Sequence, residues 1–363
     1  MNKLGFGFLR LPFAGEEIDY ALLNQMVDLF LEKGGRYFDT AYTYLDGKSE
    51  IAIKKAVVDR HDRDNFILAD KLPGYLIKSY EECYRYFDEQ LKRCGVTYFD
   101  VYMLHWLNAK NYAIAEQFRE FDFLQSLKKD GKAKKIGFSY HDTANLLDKI
   151  LTKHPEVDYV QLQINYADWE SESIQSRRCY EIAQKHEKKV IVMEPVKGGS
   201  LAVLPGEAAA LLQEHDRSAS SASFAIRFAQ SLSDVDVVLS GMNTTEQLYD
   251  NLHDMPPISS AEMDLLIKVT NILNKNTAIA CTTCGYCMSH CPMSIPIPHI
   301  FKLYNEYTRN QGDDWKIAPA YANITERKGK ASACIACRKC EMNCPQKLPI
   351  SSTIKKIADI FGD

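Results

Sequence analysis

RYFDTAYTYLDGKSEIAIKKAVVDRHDRDNFILADKLPGYLIKSYEECYRYFDEQLKRCGVTYFDVYMLH, residues 36–105, sets the architecture. It holds three short apolar runs, RYFDTA at 36–41, FILADK at 66–71 and YFDVYMLH at 98–105, each the length of a buried strand. Before the third run, Tyr80, Cys83, Tyr84, Phe87, Leu91 and Cys94 recur at spacings of three and four, the period of a helix with one apolar face. The same alternation continues outward. Upstream stand LGFGF at 4–8 and a helical pattern at Leu22, Leu23, Met26, Val27, Phe30 and Leu31. Downstream stand KIGFSY at 135–140, YVQLQIN at 159–165, KVIVMEP at 189–195 and VDVVLSG at 235–241. Eight strand-then-helix units in about 250 residues predict an α/β fold of the (β/α)8 TIM-barrel type, with its chemistry at the C-terminal ends of the strands. A doubly wound sheet is disfavoured because no strand is followed by GxGxxG.

The 363 residues, 46% hydrophobic and 25% charged, suit such a barrel plus a smaller domain. Pro256 and Pro257 end the last barrel element, and Ser259 with Glu262 predicts a capping box that opens a helix of about 14 residues. A boundary near 275 gives a barrel over 1–275 and a second domain over 276–363. Eight of the eleven cysteines lie in that second domain. The other three, Cys83, Cys94 and Cys179, fall in helical patterns and read as ordinary buried residues. No stretch approaches the roughly 20 apolar residues of a membrane span, and MNKLGFGFLRLP lacks the apolar core and cleavage site of a secretory signal. The expectation is a cytoplasmic protein, where clustered cysteines bind metal rather than form disulfides.

CxxCxxCxxxCP occurs twice, at 281–292 and 334–345. Three thiolates at i, i+3 and i+6 can wrap one face of a cubane, and the run resembles that of bacterial two-cluster ferredoxins. That resemblance implies crossed ligation: Cys281, Cys284 and Cys287 with Cys344 for one 4Fe-4S cluster, and Cys334, Cys337 and Cys340 with Cys291 for the other. Zinc, which favours two CxxC pairs, is the weaker reading. Between the blocks, Ile300, Phe301, Leu303, Tyr304 and Tyr307 predict a helix, so the module is expected to be helix-rich and ferredoxin-like.

The formal net charge of −4 conceals an asymmetry: residues 259–363 carry 13 basic and 9 acidic side chains, the remainder 31 and 39. Each oxidised four-iron cluster with its four thiolates contributes about −2, which brings the tail to roughly neutral. No basic run or interleaved aromatic platform is present, and nucleic acid is not an expected partner.

At the strand ends, FDTAYTYLDGKSE carries Asp39 and, five residues later, Tyr44; the third strand ends in Lys71 and the fourth run in His105. Tyrosine titrates near pH 10 and needs a neighbouring cation to serve as acid or base at neutral pH; Lys71, held by Asp39, would supply it. His105 would orient a carbonyl oxygen toward the Tyr44 hydroxyl. Ser49 in the following loop reads as a helix cap. Trp106, Tyr42 and Trp169 at strand ends suggest an aromatic pocket.

With this tetrad, GFSYHD at Ser139, VQLQINY at Gln161 and Asn165, EPVKGGSL and GMNTTEQLYDNL, the first three quarters of the chain resembles the aldo/keto reductase family. The resemblance implies a nicotinamide cofactor across the barrel mouth, a small carbonyl or alcohol substrate, and Tyr44 as proton donor. It assigns the carboxamide to Ser139 and Gln161. Where NADP-preferring members present Lys and Arg to the 2′-phosphate, this chain has Gly241 and Gln247, which leaves NAD, NADP or FMN open. Thr244, Thr245, Gln247 and Asn251 could bind phosphate or ribose by neutral hydrogen bonds, beside a helix N-terminus beginning near Thr245.

Hydride transfer moves two electrons and each cluster accepts one. The leading expectation is therefore an aldo/keto reductase-like oxidoreductase that exchanges electrons with a ferredoxin- or flavodoxin-type carrier. The alternatives are a reductase with structural or redox-sensing clusters, an FMN-dependent enzyme, and a non-catalytic electron-transfer module.

Overall fold

A computed structural model describes residues 3–171, 174–253, 256–276, 278–309, 321–322 and 324–361. The chain divides into two compact units. The first comprises Met1–Ser171, Gln175–Val196 and Ala219–Ser260; the second comprises Glu172–Ile174, Lys197–Ser218 and Ala261–Asp363.

Eight parallel strands close a barrel in the first unit. In chain order they are Leu4–Gly7, Tyr37–Asp39, Ile67–Leu72, Phe99–Leu107, Ala133–Tyr140, Tyr159–Gln163, Lys189–Met193 and Val235–Ser240, numbered strands 1 to 8 below. Each pairs with its sequence neighbours, and strand 8 closes on strand 1. All eight apolar runs therefore become barrel strands. A two-stranded hairpin, Phe13–Ala14 with Glu17–Ile18, was not legible in the sequence because each arm is only two residues long.

Strand alternation sorts the side chains. Tyr37, Ala69, Val101, Met103, Ile191, Val237 and Leu239 pack together as a filled interior. Gly5 belongs to the same layer, and a Cβ there would stand 2.7 Å from the Leu239 side chain. The residues between them face outward: Phe6 and Phe38 meet Phe30 of the helix Tyr20–Glu32, with ring centroids 5.7 and 5.3 Å apart, and Phe8 packs on Phe6 and Phe38 at 5.2 and 5.7 Å. Each fully buried Phe contributes about 1.5–3 kcal/mol.

The helix Tyr80–Cys94 shows why the intervening segments are helical. Glu81 and Glu82 lie in its first turn, Lys92 and Arg93 in its last, complementing the helix dipole, and Gly95 closes it at φ 71°. Its buried face is Cys83, Phe87, Gln90 and Cys94, so the expected bystander cysteines are core residues; Cys179 is buried likewise.

Ser49 is a correction to the sequence reading. The helix Lys48–Ile53 starts after Gly47, at φ 85°, and Ser49 lies inside it, fully buried. Its hydroxyl donates to the Phe8 carbonyl at 2.9 Å and lies 2.7 Å from Thr40 Oγ1, tying the helix to the ends of strands 1 and 2. The glycine's left-handed turn starts the helix two residues early and turns the serine inward.

In the second unit the described residues form helices and turns without a strand. The helix after the double proline runs Ser260–Asn276, longer than expected. Helices Ile297–Arg309 and Ile350–Phe361 bury Ile300, Phe301, Ile354 and Ile357 in a common core. No helix among the described residues is long and apolar enough to cross a membrane.

Candidate active site and cysteine cradle

Strand register brings the tetrad together. Lys71 stands two residues beyond Ala69, the partner of Asp39, and opposite Met103, itself two residues before His105. Its ammonium donates to Asp39 Oδ1 at 2.6 Å and to the Thr40 carbonyl at 2.8 Å, and lies 5.0 Å from the Tyr44 ring centroid. All of Asp39, Lys71 and His105 are buried. Burial lifts the Asp39 carboxyl above its ordinary value, while Lys71 and the Gln161 amide pull it back. His105 sits edge-on to Tyr44, ring centroids 5.7 Å apart. Burial, then the Lys71 charge and His141, hold His105 well below the usual imidazole range, so it is neutral at pH 7. A neutral imidazole and a phenol beside a buried cation can together polarise a carbonyl oxygen and deliver a proton to it.

Lys71 is held from both sides of its own peptide. Its N–H donates to Asp70 Oδ1 at 2.7 Å, and Gln90 Nε2 donates to its carbonyl at 3.1 Å. Asp70 shares a fully buried pocket with Glu50 and Cys94. Burial and the Glu50 charge push the Asp70 carboxyl well up, and burial raises Glu50 against the pull of Arg93, which donates to Glu50 Oε2 at 2.9 Å. Sequence spacing gave no sign of this support, because its members come from three separate elements, strand 3 and the helices Lys48–Ile53 and Tyr80–Cys94.

The aromatic shell differs from expectation. Tyr75 lies 6.1 Å from the His105 ring and 5.6 Å from Trp106, joining the pocket from the turn Gly74–Leu76. Tyr42 instead packs on Tyr86 and under Arg93, and Trp169 packs on Tyr180 and Phe228. Trp106 adopts φ 64° at a register shift in strand 4, and its N–H donates to Ser139 Oγ at 2.7 Å. The Ser139 acceptor is therefore engaged locally, whereas Gln161, its direct cross-strand partner, keeps a buried Oε1 without a protein partner. Asn165 is committed to Asp168 and the Glu194 carbonyl.

After strand 8, Thr244 caps the helix Thr245–Leu252, accepting the Gln247 N–H at 3.2 Å, and Gln247 Oε1 accepts the Asn243 N–H at 2.9 Å. Both side chains thus first satisfy the helix start. Asn251 donates to Ser240 Oγ at 2.9 Å. Gly241 lies under the stem of Arg10: a Cβ on it would fall 3.2 Å from Arg10 Cβ. Arg10, before the hairpin, is a cation the sequence reading missed.

Beneath the Tyr75 turn lies Glu120, 1% exposed, both carboxyl oxygens without a hydrogen-bond partner, and pressed against Gly74. Burial pushes its carboxyl up to about 8. The unfolded chain releases this proton near pH 4.5 and the folded chain near 8, so Glu120 costs stability as pH rises between those values, about 1.4 kcal/mol per unit. Glu120→Gln is expected to unfold at a higher denaturant midpoint than the native chain, by a margin that widens up to about pH 8 and then levels. A margin independent of pH would contradict this.

The eight C-terminal cysteines sort by space rather than by sequence. Cys281, Cys284, Cys287 and Cys344 line one cavity, and Cys291, Cys334, Cys337 and Cys340 line another. The surroundings are apolar, with Ile297 and Ile350 shared by both cavities. The two blocks also repeat in backbone. Thr283 and Ala336, Gly285 and Arg338, and Ser294 and Lys347 all have positive φ, each pair 53 residues apart like the cysteines themselves. The N–H groups of Thr283 and Ile295 donate to Cys281 and Cys291 Sγ, both at 3.4 Å. Burial and the neighbouring Cys284, Cys281 and Cys344 sulfurs push the Cys287 thiol up. Four sulfurs crowded into an apolar hollow repel one another as thiolates unless a cation lies between them, and the donor set therefore fits an iron–sulfur cluster.

A closed parallel barrel with buried titratable groups gathered at its strand ends defines the class of (β/α)8 TIM barrels with a candidate site at the catalytic face. The chain belongs to the aldo/keto reductase family, whose model matches residues 3–270. Residues 280–348 match the model of a 4Fe-4S dicluster domain. An aldo-keto reductase of Gibberella moniliformis is 30% identical over 142 residues, 37% of this chain and 42% of that protein. One from Mycolicibacterium smegmatis is 28% identical over 117 residues, 32% and 40% respectively. These alignments span about two fifths of the curated relatives' length. Among solved structures, the holo form of a Bacillus halodurans aldo-keto reductase superposes with a TM-score of 0.59 at 22% identity, covering 74% of this chain and 91% of that one. A Klebsiella pneumoniae aldo-keto reductase in complex with NADPH gives 0.59 at 20% identity, covering 74% and 90%.

Proposed function

We propose that the barrel reduces a small carbonyl compound, or oxidises the matching alcohol, with a nicotinamide cofactor, and that the second unit holds two 4Fe-4S clusters through crossed quartets. The observation that carries the first part is the buried Lys71–Asp39 ion pair beneath the Tyr44 ring, beside a neutral His105. When bound, the nicotinamide supplies the hydride. Tyr44 donates the proton to the carbonyl oxygen, its acidity raised by Lys71; His105 hydrogen-bonds that oxygen; Tyr75 and Trp106 exclude water and favour an aromatic or conjugated carbonyl. Gln161 Oε1, bare and buried, suits the cofactor's carboxamide N–H groups.

Arg10 is the cation for a 2′-phosphate in place of the basic residues absent at Gly241 and Gln247, which favours NADP over NAD. Arg10→Ala is expected to raise KM for NADPH roughly 10- to 100-fold, the worth of a charge-assisted hydrogen bond, with KM for NADH nearly unchanged. Equal effects on both cofactors would remove Arg10 from this role.

The clusters supply one-electron chemistry, and their cysteines keep them within an apolar cradle. Protein purified anaerobically is expected to be brown, with about eight iron and eight sulfide per chain. NADPH-dependent reduction of an aromatic aldehyde panel tests the barrel. Two zinc ions without sulfide would remove the cluster assignment, and an inert panel at saturating cofactor would remove the reductase assignment.

A further inference from the structure

The internal repeat of the second unit supplies its own control for surface exposure. Residue by residue, the ligand loop Cys334–Cys340 is the counterpart of Cys281–Cys287, 53 positions earlier. Their surroundings differ sharply. In the first loop Thr282 is 1% exposed, with the turn Lys197–Gly199 against it: a Cβ on Gly198, at φ 65°, would fall 2.0 Å from the Thr282 carbonyl oxygen. Lys197 also donates to Gln346 Oε1 at 3.4 Å. The counterpart of Thr282 is Ile335, an apolar residue 62% exposed. Residues 335–339 are all exposed, Cys337 among them, and Met342 beside them is 68% exposed.

Two large apolar side chains left in water over a metal-ligand loop lose hydrophobic stabilisation that a partner would restore. The loop is also cationic. Arg338 has 75% of its side chain exposed and Lys339 is exposed beside it. Glu341 Oε2 is 3.9 Å from Arg338 Nε, a long contact, while Glu341 Oε1 accepts the Ser351 N–H and hydroxyl, both at 2.7 Å. An apolar centre with a basic rim around an exposed ligand cysteine matches a small, acidic partner surface.

We propose that the face formed by Ile335, Cys337, Arg338, Lys339 and Met342 docks an acidic one-electron carrier protein, and that the loop Cys281–Cys287 is the covered member of the pair. The proposal rests on reading both cysteine quartets as cluster ligands. In the docked pair one electron leaves the reduced carrier and one enters this chain, with no bond made or broken. Ile335 and Met342 give the complex its desolvated centre; Arg338 and Lys339 steer encounter and set its salt dependence.

The test uses the anaerobic holoprotein and two probes, a small acidic two-cluster bacterial ferredoxin and an acidic flavodoxin, with binding followed by calorimetry at low and high salt. At least one probe is expected to bind, more weakly as salt rises. The double variant Arg338→Glu, Lys339→Glu is expected to weaken binding tenfold or more. Lys132→Glu on the barrel unit, which also adds negative charge, is expected to leave it unchanged. Iron and sulfide content, measured for every variant, shows whether the ligand loop is intact; Met342→Asp, outside the ligand quartets, provides a second variant should the double one lose iron. Binding of neither probe, or equal loss in Lys132→Glu, would overturn the proposal. Concentration-dependent self-association abolished by Arg338→Glu would overturn it in favour of a second copy of this chain. Loss of docking with carbonyl reduction intact, or the reverse, separates failure of this proposal from failure of the reductase reading.

Discussion

Tyr44→Phe is expected to lower kcat/KM for carbonyl reduction by about 10²–10⁴, the usual worth of a positioned general acid, while leaving cofactor affinity and iron content unchanged. The substitution keeps the ring beside His105 and over Lys71 and removes only the hydroxyl, so the loss reports proton transfer rather than packing. Lys71→Met is expected to lose a similar factor and to move the alkaline limb of the pH profile upward, because it removes the cation proposed to favour proton release from Tyr44. Normal turnover by Tyr44→Phe would leave the barrel as a scaffold and favour the electron-transfer module.

The second large effect concerns ligation. Cys344→Ser is expected to remove the cluster whose other ligands are Cys281, Cys284 and Cys287, leaving about four iron per chain and the Cys334, Cys337, Cys340 and Cys291 set intact. In sequence Cys344 belongs to the second block, but in space it shares a cavity with the first. A double variant, Cys281→Ser with Cys344→Ser, separates the arrangements most clearly. Crossed ligation predicts that it still holds about four iron, because both losses fall on one cluster. Loss of nearly all iron, with the chain folded, would indicate that each block serves its own cluster.

Much of the fold was legible because a barrel strand buries both faces and leaves a short apolar run, while each following helix leaves spacings of three and four. Asp39, Tyr44, Lys71 and His105 were legible as chemistry at strand ends, and register brings them within reach of one another. What was hidden depends on three-dimensional neighbours. Ser49 has the composition of a cap, but Gly47 starts the helix first and directs the serine to the Phe8 carbonyl. Thr244 and Gln247 look like ligands for a phosphate, yet each also satisfies a backbone N–H at the helix start. Tyr75, Arg10 and Glu120 carry no motif and become visible only when the Gly74 turn and the Gly241 backbone are placed. The cysteine blocks are identical in pattern, and the covered loop differs from the open one by the turn Lys197–Gly199 packed against Thr282, far away in sequence.

The central claim is that this barrel passes a hydride between nicotinamide and a carbonyl carbon while Tyr44 supplies the proton. It is tested most directly with NADPH carrying deuterium at C4, mixed with the anaerobic holoprotein and an aromatic aldehyde. One deuterium is expected at the former carbonyl carbon per alcohol formed, with one stereospecific face of the cofactor donating, and almost none with Tyr44→Phe in the same time. Alcohol formed without label from either face of the cofactor, or label transfer at an undiminished rate in Tyr44→Phe, would contradict it.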